Sequence, residues 1–356
     1  DIGVTGVQTC ALPIFGISQT GAGGTLTVTG NANGGGATSA RGISNTAGTL
    51  TFTGTPTGGS ASSTNGILAG GGTVNITGDP TGGTSAQGVS VSSGTCAITG
   101  NAVPSSGSNG LVVSGGACTL SGTAAGGSVT AVSMTGGTLT IGGAVTGSAT
   151  TGSIYGVSCS AGTLTINNNI TGGTAAGGSA HGVNLTSSGA LNVTGNVVSS
   201  ATGGGIGVNS TSTGAITVTG NISANATKGV ATSSSGSITV TGNVTASATG
   251  YGIYSSYAGG TITVTGIMTA VSSFPAIYCN GGGAGARVNV HGDMIGEATS
   301  GYPAVSTLGP ICVDPTLNMT IKYATDTGGG GIGTLRQFTS SGGVFASGGG
   351  RPIFGR

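Results

Sequence analysis

The sequence predicts an all-β chain, a right-handed single-stranded parallel β-helix of about twelve stacked rungs, each of about 24 residues and three short strands. Three observations predict it. One seven-residue phrase recurs along most of the 356 residues, its apolar and polar positions alternate, and glycine, 80 residues in all, punctuates every repeat.

The phrase reads GTLTVTG from Gly24, GTLTFTG from Gly48, GTVNITG from Gly72 and GTCAITG from Gly94. It returns as ACTLSG from Ala117, GTLTIGG from Gly137, GTLTINN from Gly162, GALNVTG from Gly189, GAITVTG from Gly214, GSITVTG from Gly236 and GTITVTG from Gly260, with a degenerate ARVNVHG from Ala286. Copies begin roughly 21 to 27 residues apart, within the period range of solenoids. Within a copy, Leu26 and Val28 fall on one face and Thr25, Thr27 and Thr29 on the other, the mark of a half-buried strand.

Two weaker strands complete each repeat. One follows the phrase, as at Asn196-Val197, Asn221-Ile222 and Asn243-Val244; the other follows a second glycine, as at Gly88-Val89-Ser90-Val91 and Gly182-Val183-Asn184-Leu185. A single coil of this kind cannot bury its apolar face, but stacked coils can. At about 4.8 Å per rung the stack makes a rod roughly 55 to 60 Å long. Leu26, Leu50, Val74, Cys96, Cys118, Leu139, Leu164, Leu191, Ile216, Ile238, Ile262 and Val288 then form one inner column, with Thr217, Thr239 and Thr263 outside. Asn or Asp follows the closing glycine at 31, 79, 101, 196, 221, 243 and 293. Asn tolerates the left-handed conformation of a corner, and stacked amides are expected to form ladders between rungs.

Composition narrows the function. Only 4% of residues are charged and the net charge is +1, against roughly 25% charged in an ordinary domain. Positive mean hydropathy and recurring β-branched residues oppose disorder, and glycine lacks the every-third spacing of collagen. The seven basic residues form no stripe, which excludes nucleic acid as a partner. No apolar run approaches the roughly 18 residues of a membrane helix, so no membrane span is expected.

The ends read differently. Val4 to Ile14, VTGVQTCALPI, looks in all eleven residues like the frame translation of a common sequencing-library adapter, so residues 1–14 are expected to make no rung. The solenoid is expected over 15–294. Nine of the thirteen charged residues lie from Arg287 onward, and 295–356 is expected to be an irregular cap or attachment segment with a last strand in 317–323.

The phrase GTLTVTGN, followed by GG and a spacer to the next copy, resembles the repeats of bacterial autotransporter passenger domains and related β-strand-repeat proteins, and is also similar to β-helical proteins of phage tails. The likeness covers about residues 21–292. It implies the fold and an extracellular place on a bacterial surface or virion. Passenger repeats carry an aromatic after the phrase, which this chain mostly lacks.

Catalysis fits the residues poorly. Many β-helices cut polysaccharides, and glycoside hydrolysis needs two carboxylates across the scissile bond. Between Asp79 and Asp293 there is no Asp or Glu. His181 and His291, about four rungs apart, cannot share a metal, and are read as surface residues; Lys228 is read as solvated. The cysteines lack metal spacing, and Cys159 and Cys279 are read as small buried hydrophobes. Cys96 and Cys118 are expected to stack as thiols on neighbouring rungs. No cofactor and no enzyme activity are expected.

The candidate partner-binding residues are Tyr251, Tyr254 and Tyr257, with Tyr278 nearby, and Thr217, Thr239 and Thr263. The expected function is a non-catalytic structural or adhesive rod that meets surface glycans, a host-cell surface or copies of itself. The alternatives are an ice-binding threonine face and, last, a polysaccharide-degrading tail spike.

Overall fold

The computed structural model describes residues 16–298, apart from 149–151, 153, 175–179, 226, 249, 257–259, 273–276, 280–286 and 292–293, together with strands at 305–307, 311–313, 322–323 and 343–345. Every regular element among the described residues is a β-strand. The strands form a parallel β-solenoid of about ten turns of about 24 residues, three strands to the turn.

Each of the twelve phrases becomes one strand of a fourteen-stranded sheet, from Thr25–Thr29 to Arg287–Val290 and on to Ile311–Val313. All its neighbours pair in parallel until the last, Gly343–Phe345, which is antiparallel. A thirteen-stranded sheet gathers the strands that precede each phrase, from Ile17–Gln19 to Val305–Thr307; it is called here the lead sheet. A nine-stranded trailing sheet gathers those that follow the phrase, from Ala124–Ala125 to Lys322–Tyr323. The parallel pairing therefore runs past the expected boundary at 294, through Met294–Ala298 and its partner Lys322–Tyr323. Residues 1–14 lie outside the described part of the chain.

The register follows the apolar alternation because a slip of one residue would move a whole strand's apolar set to the outside. Leu26 opposes Leu50, which opposes Val74; the column continues through Cys96, Cys118, Leu139, Leu164, Leu191, Ile216, Ile238 and Ile262 to Val288. From Leu50 to Ile262 these side chains are buried in one continuous core. Leu26 and Val28, on the first described phrase strand, are only partly buried. The intervening threonines lie outside, with Thr217, Thr239 and Thr263 in register and partly exposed.

A glycine stands just before the lead strand and lets the chain pass close to backbone that follows the phrase and to the lead segment of the next turn. A Cβ on Gly66 would lie 2.6 Å from the carbonyl oxygen of Thr81 and 2.7 Å from that of Gly88. Only hydrogen fits there, which explains why a glycine so often stands before the Val or Ile of this strand.

Asparagines do form a ladder, but of another kind than expected. The Asn196 Oδ1 accepts the Asn221 N–H at 2.9 Å, the Asn221 Oδ1 that of Asn243 at 2.8 Å, and the Asn243 Oδ1 that of Ile267 at 2.7 Å. The bonds run from backbone to side chain rather than amide to amide. Asn169, absent from the expected set, starts this run by accepting the Asn196 N–H at 2.8 Å. Asp79 and Asn101 make a shorter run that ends on Thr123. Asp293 lies outside the described residues.

Cys96 and Cys118 are register partners and free, buried thiols. Their mutual hydrogen bond, and then burial, hold the Cys96 thiol well above its ordinary value. Burial pushes Cys159 up to about 11. The raised values make Cys96 and Cys159 inert core residues at neutral pH.

Candidate functional site

Among the described residues, aromatic and basic side chains gather on the lead sheet. The residue before the lead-strand glycine is Tyr155, His181, Ile206, Lys228 and Tyr251 on five successive rungs. Register aligns them: Val157 opposes Val183 and Val183 opposes Val208, while Ile206 opposes Lys228 and Lys228 opposes Tyr251. Three residues further along each strand runs a second column. It reads Ser158, Asn184, Asn209, Ala231, Tyr254 and Tyr278.

The two columns meet at the upper rungs. The Lys228 Nζ sits over the Tyr254 ring, 4.2 Å from its centroid. Tyr254 stacks on Tyr278 at 5.4 Å and 15°, and Tyr251 tilts against both, at 5.3 Å and 5.2 Å. The contacts cover ring faces from both sides of Tyr254, so an outside partner meets mainly ring edges and phenol hydroxyls. Lys228 is the only charged residue between Asp79 and Arg287. Partial burial lowers its ammonium pKa. A cation that has lost water gains from the ring quadrupole beneath it. Lys228 is thus not the solvated residue that sequence reasoning expected.

His181 corrects a second expectation. It is buried, at 6% exposure, and stacks on Tyr155 with centroids 5.1 Å apart. Its Nδ1 accepts the Ile206 N–H at 3.2 Å, which fixes the neutral tautomer with hydrogen on Nε2. Burial first, and then the Lys228 charge, lower its pKa to about 4. One rung up, Asn209 donates to the Asn184 Oδ1 at 2.8 Å and continues the polar ladder of the second column.

Of the sequence candidates, the structure brings Tyr251, Tyr254 and Tyr278 together and adds Lys228. Tyr257 lies outside the described residues. Thr217, Thr239 and Thr263 stand on the phrase sheet, a different wall. The signal that would have found Lys228 and His181 is the shared X-Gly-Val or X-Gly-Ile pattern: Tyr155-Gly-Val, His181-Gly-Val, Lys228-Gly-Val, Tyr251-Gly-Ile. Among the described residues no three His, Cys, Asp or Glu cluster as a metal site would require. No helix of the described chain is long and apolar enough to cross a membrane. No protein-family model, curated protein or solved structure matches this chain.

Proposed function

We propose that the chain is a non-catalytic rod, a structural or adhesive element outside a bacterial cell or on a virion. The observation that carries this reading is a long in-register wall with almost no charge: between Asp79 and Asp293 the body has no carboxylate with which to cut a glycosidic bond. A surface of Thr, Ser, Asn and Tyr with few exposed large apolar residues among those described suits lasting contact with a hydrated polymer.

The second reading, ice binding, draws on the in-register Thr217, Thr239 and Thr263. The column they belong to is interrupted by Asn75, Ala97, Asn192 and Asn289, so an unbroken threonine array spans few rungs.

The test combines two measurements on the purified protein. Labelled protein should decorate bacterial cells or their isolated envelopes, and incubation with neutral and acidic polysaccharides should release no new reducing ends. Multiple-turnover release of reducing ends overturns the non-catalytic reading. Absence of surface binding together with a measurable freezing-point gap would favour the ice-binding one.

A further inference from the structure

We infer that the Lys228–Tyr251–Tyr254–Tyr278 patch is a recognition site for an acidic saccharide chain, one that bears carboxylates among its hydroxyls. The inference rests on the adhesive reading above and names the chemistry of its partner.

The argument begins with charge. Lys228 stands alone on a wall that has no acidic residue near it in sequence or in register, so its positive field is not cancelled by a carboxylate of its own rungs. An anionic group is the complement. A single cation is far too little for nucleic acid, which takes its affinity from many neutralised phosphates. An apolar partner is excluded as well, since the only exposed large hydrophobic residues among those described are Val103 and Ile267, neither of them in this patch.

The tyrosines define the rest of the ligand. Tyr254 and Tyr278 spend their faces on each other, and Lys228 covers Tyr254 from below. On Tyr254 and Tyr278, register partners on neighbouring rungs, ring edges and phenol hydroxyls remain, repeated at the rung spacing of about 4.8 Å. A row of hydroxyls beside one ammonium suits a chain dense in hydroxyls with an occasional carboxylate. The ammonium takes the carboxylate in a charge-assisted hydrogen bond, and the phenols exchange hydrogen bonds with sugar hydroxyls. The Lys228–Tyr254 contact holds the ammonium in place before the ligand arrives, which lowers the ordering cost of binding.

The test uses isothermal titration of the full chain with a galacturonate hexasaccharide and, in parallel, with the neutral hexasaccharide of cellulose. The acidic probe should bind and the neutral one should bind at least about tenfold more weakly. Lys228→Met and the double variant Tyr254→Phe with Tyr278→Phe should each weaken the acidic probe about tenfold, while Lys228→Arg retains it. The phenylalanines keep the stack, so a merely structural tyrosine ladder would leave binding unchanged; circular dichroism checks that each variant is folded. Equal binding of both probes, no binding of the acidic probe, or unchanged affinity in Lys228→Met each overturns the proposal. The adhesive reading fails separately: it falls if the labelled rod decorates no envelope even though the acidic probe binds, and it survives if the rod decorates envelopes while the probe does not.

Discussion

The corner between the lead sheet and the phrase sheet is built in two ways, and the difference divides the solenoid. In the lower turns three residues join the two strands, as in Ser114-Gly115-Gly116 after Val113. The last of the three is a left-handed glycine, with φ from 64° to 87° at Gly48, Gly72, Gly94, Gly116, Gly137 and Gly162. The residue that ends the lead strand there is Asn45 in the first of these corners, buried with its amide donating to the Gly71 carbonyl at 2.6 Å, and is then apolar and buried throughout: Ala69, Val91, Val113, Met134, Cys159. After Leu185, Ser210 and Thr232 the corner gains a residue, as in Thr211-Ser212-Thr213-Gly214 after Ser210. Gly214 and Gly236 leave the left-handed region, and the strand-end column turns to Ser210, Thr232 and Ser255, all buried. The extra residue brings Ser212 and Ser234 inside. The Ser212 hydroxyl donates to the Gly189 carbonyl at 2.7 Å and accepts the Gly214 N–H at 2.9 Å, while the Ser212 N–H reaches the Ser210 Oγ at 3.2 Å. The Ser234 hydroxyl repeats the pattern by donating to the Ser212 carbonyl. A tight corner can rely on glycine and aliphatic packing, whereas a looser one exposes backbone groups to the interior that buried hydroxyls must satisfy.

The largest expected effect breaks this comparison directly. Val113→Ser places a hydroxyl in a lower corner with no inserted serine to meet it. It loses apolar burial and strands a polar group, at a cost of about 3 kcal/mol. Ser212→Ala in the upper corner removes the partner of both the Gly214 N–H and the Gly189 carbonyl, at a cost of about 2 kcal/mol. Urea midpoints with unchanged slopes measure both. If Val113→Ser proves neutral, the lower corner has room and partners for hydroxyls, and the distinction between the corners fails.

The sequence displays the phrases far more clearly than the corners. Alternation such as Thr138-Leu139-Thr140-Ile141 marks a strand unambiguously, because period two has one structural meaning on a half-buried wall. The inserted corner residue leaves hardly a trace, since the phrase still opens on glycine whether the corner holds three residues or four. Only the count from Leu185 to Gly189, set against that from Val113 to Gly116, reveals it. The candidate site was half legible for a related reason. Clustered tyrosines stand out in a chain with 4% aromatics, but Lys228 lies 26 residues before Tyr254 and reaches its ring only through parallel register. His181 reads as polar and therefore as exposed; its burial follows from Tyr155 one rung below and from the Ile206 N–H.

His181 stands two residues before the lead strand Val183–Leu185 that enters the first four-residue corner, so its titration sharpens the comparison at the junction itself. Its folded pKa of about 4 lies below its ordinary value of 6.5. Between those values the unfolded chain takes up a proton that the folded chain refuses. Stability is therefore fully present above pH 6.5 and falls as the pH drops toward 4, by about 1 to 3 kcal/mol in all. His181→Asn offers an amide oxygen in place of Nδ1 and has no titration. The pH dependence of the urea midpoint between 4 and 6.5 should flatten in this variant. An equal slope in both proteins would assign the dependence to other groups.

The smallest expected effect concerns the asparagine ladder, which also differs between the two regions. Below, it is short: Asp79 accepts from Asn101 and Asn101 from Thr123. Above, it runs unbroken from Asn169 through Asn196, Asn221 and Asn243 to Ile267. Each Asn side chain sits at the exposed corner after the phrase, so water stands ready to replace a lost acceptor. Asn221→Ala should therefore cost no more than about 1 kcal/mol, below the cost of a stranded buried group. The local effect is sharper than the global one. The Asn243 N–H loses its partner at 2.8 Å, and its hydrogen exchange should speed up while that of Asn221, still bonded to Asn196, keeps its rate. Asn101→Ala provides the counterpart below, acting on the Thr123 N–H. If the upper ladder acts cooperatively, Asn221→Ala will also accelerate exchange at Ile267, two rungs on, and Asn101→Ala will have no such reach. Equal, strictly local effects in both variants would show a ladder of independent bonds rather than a coupled one.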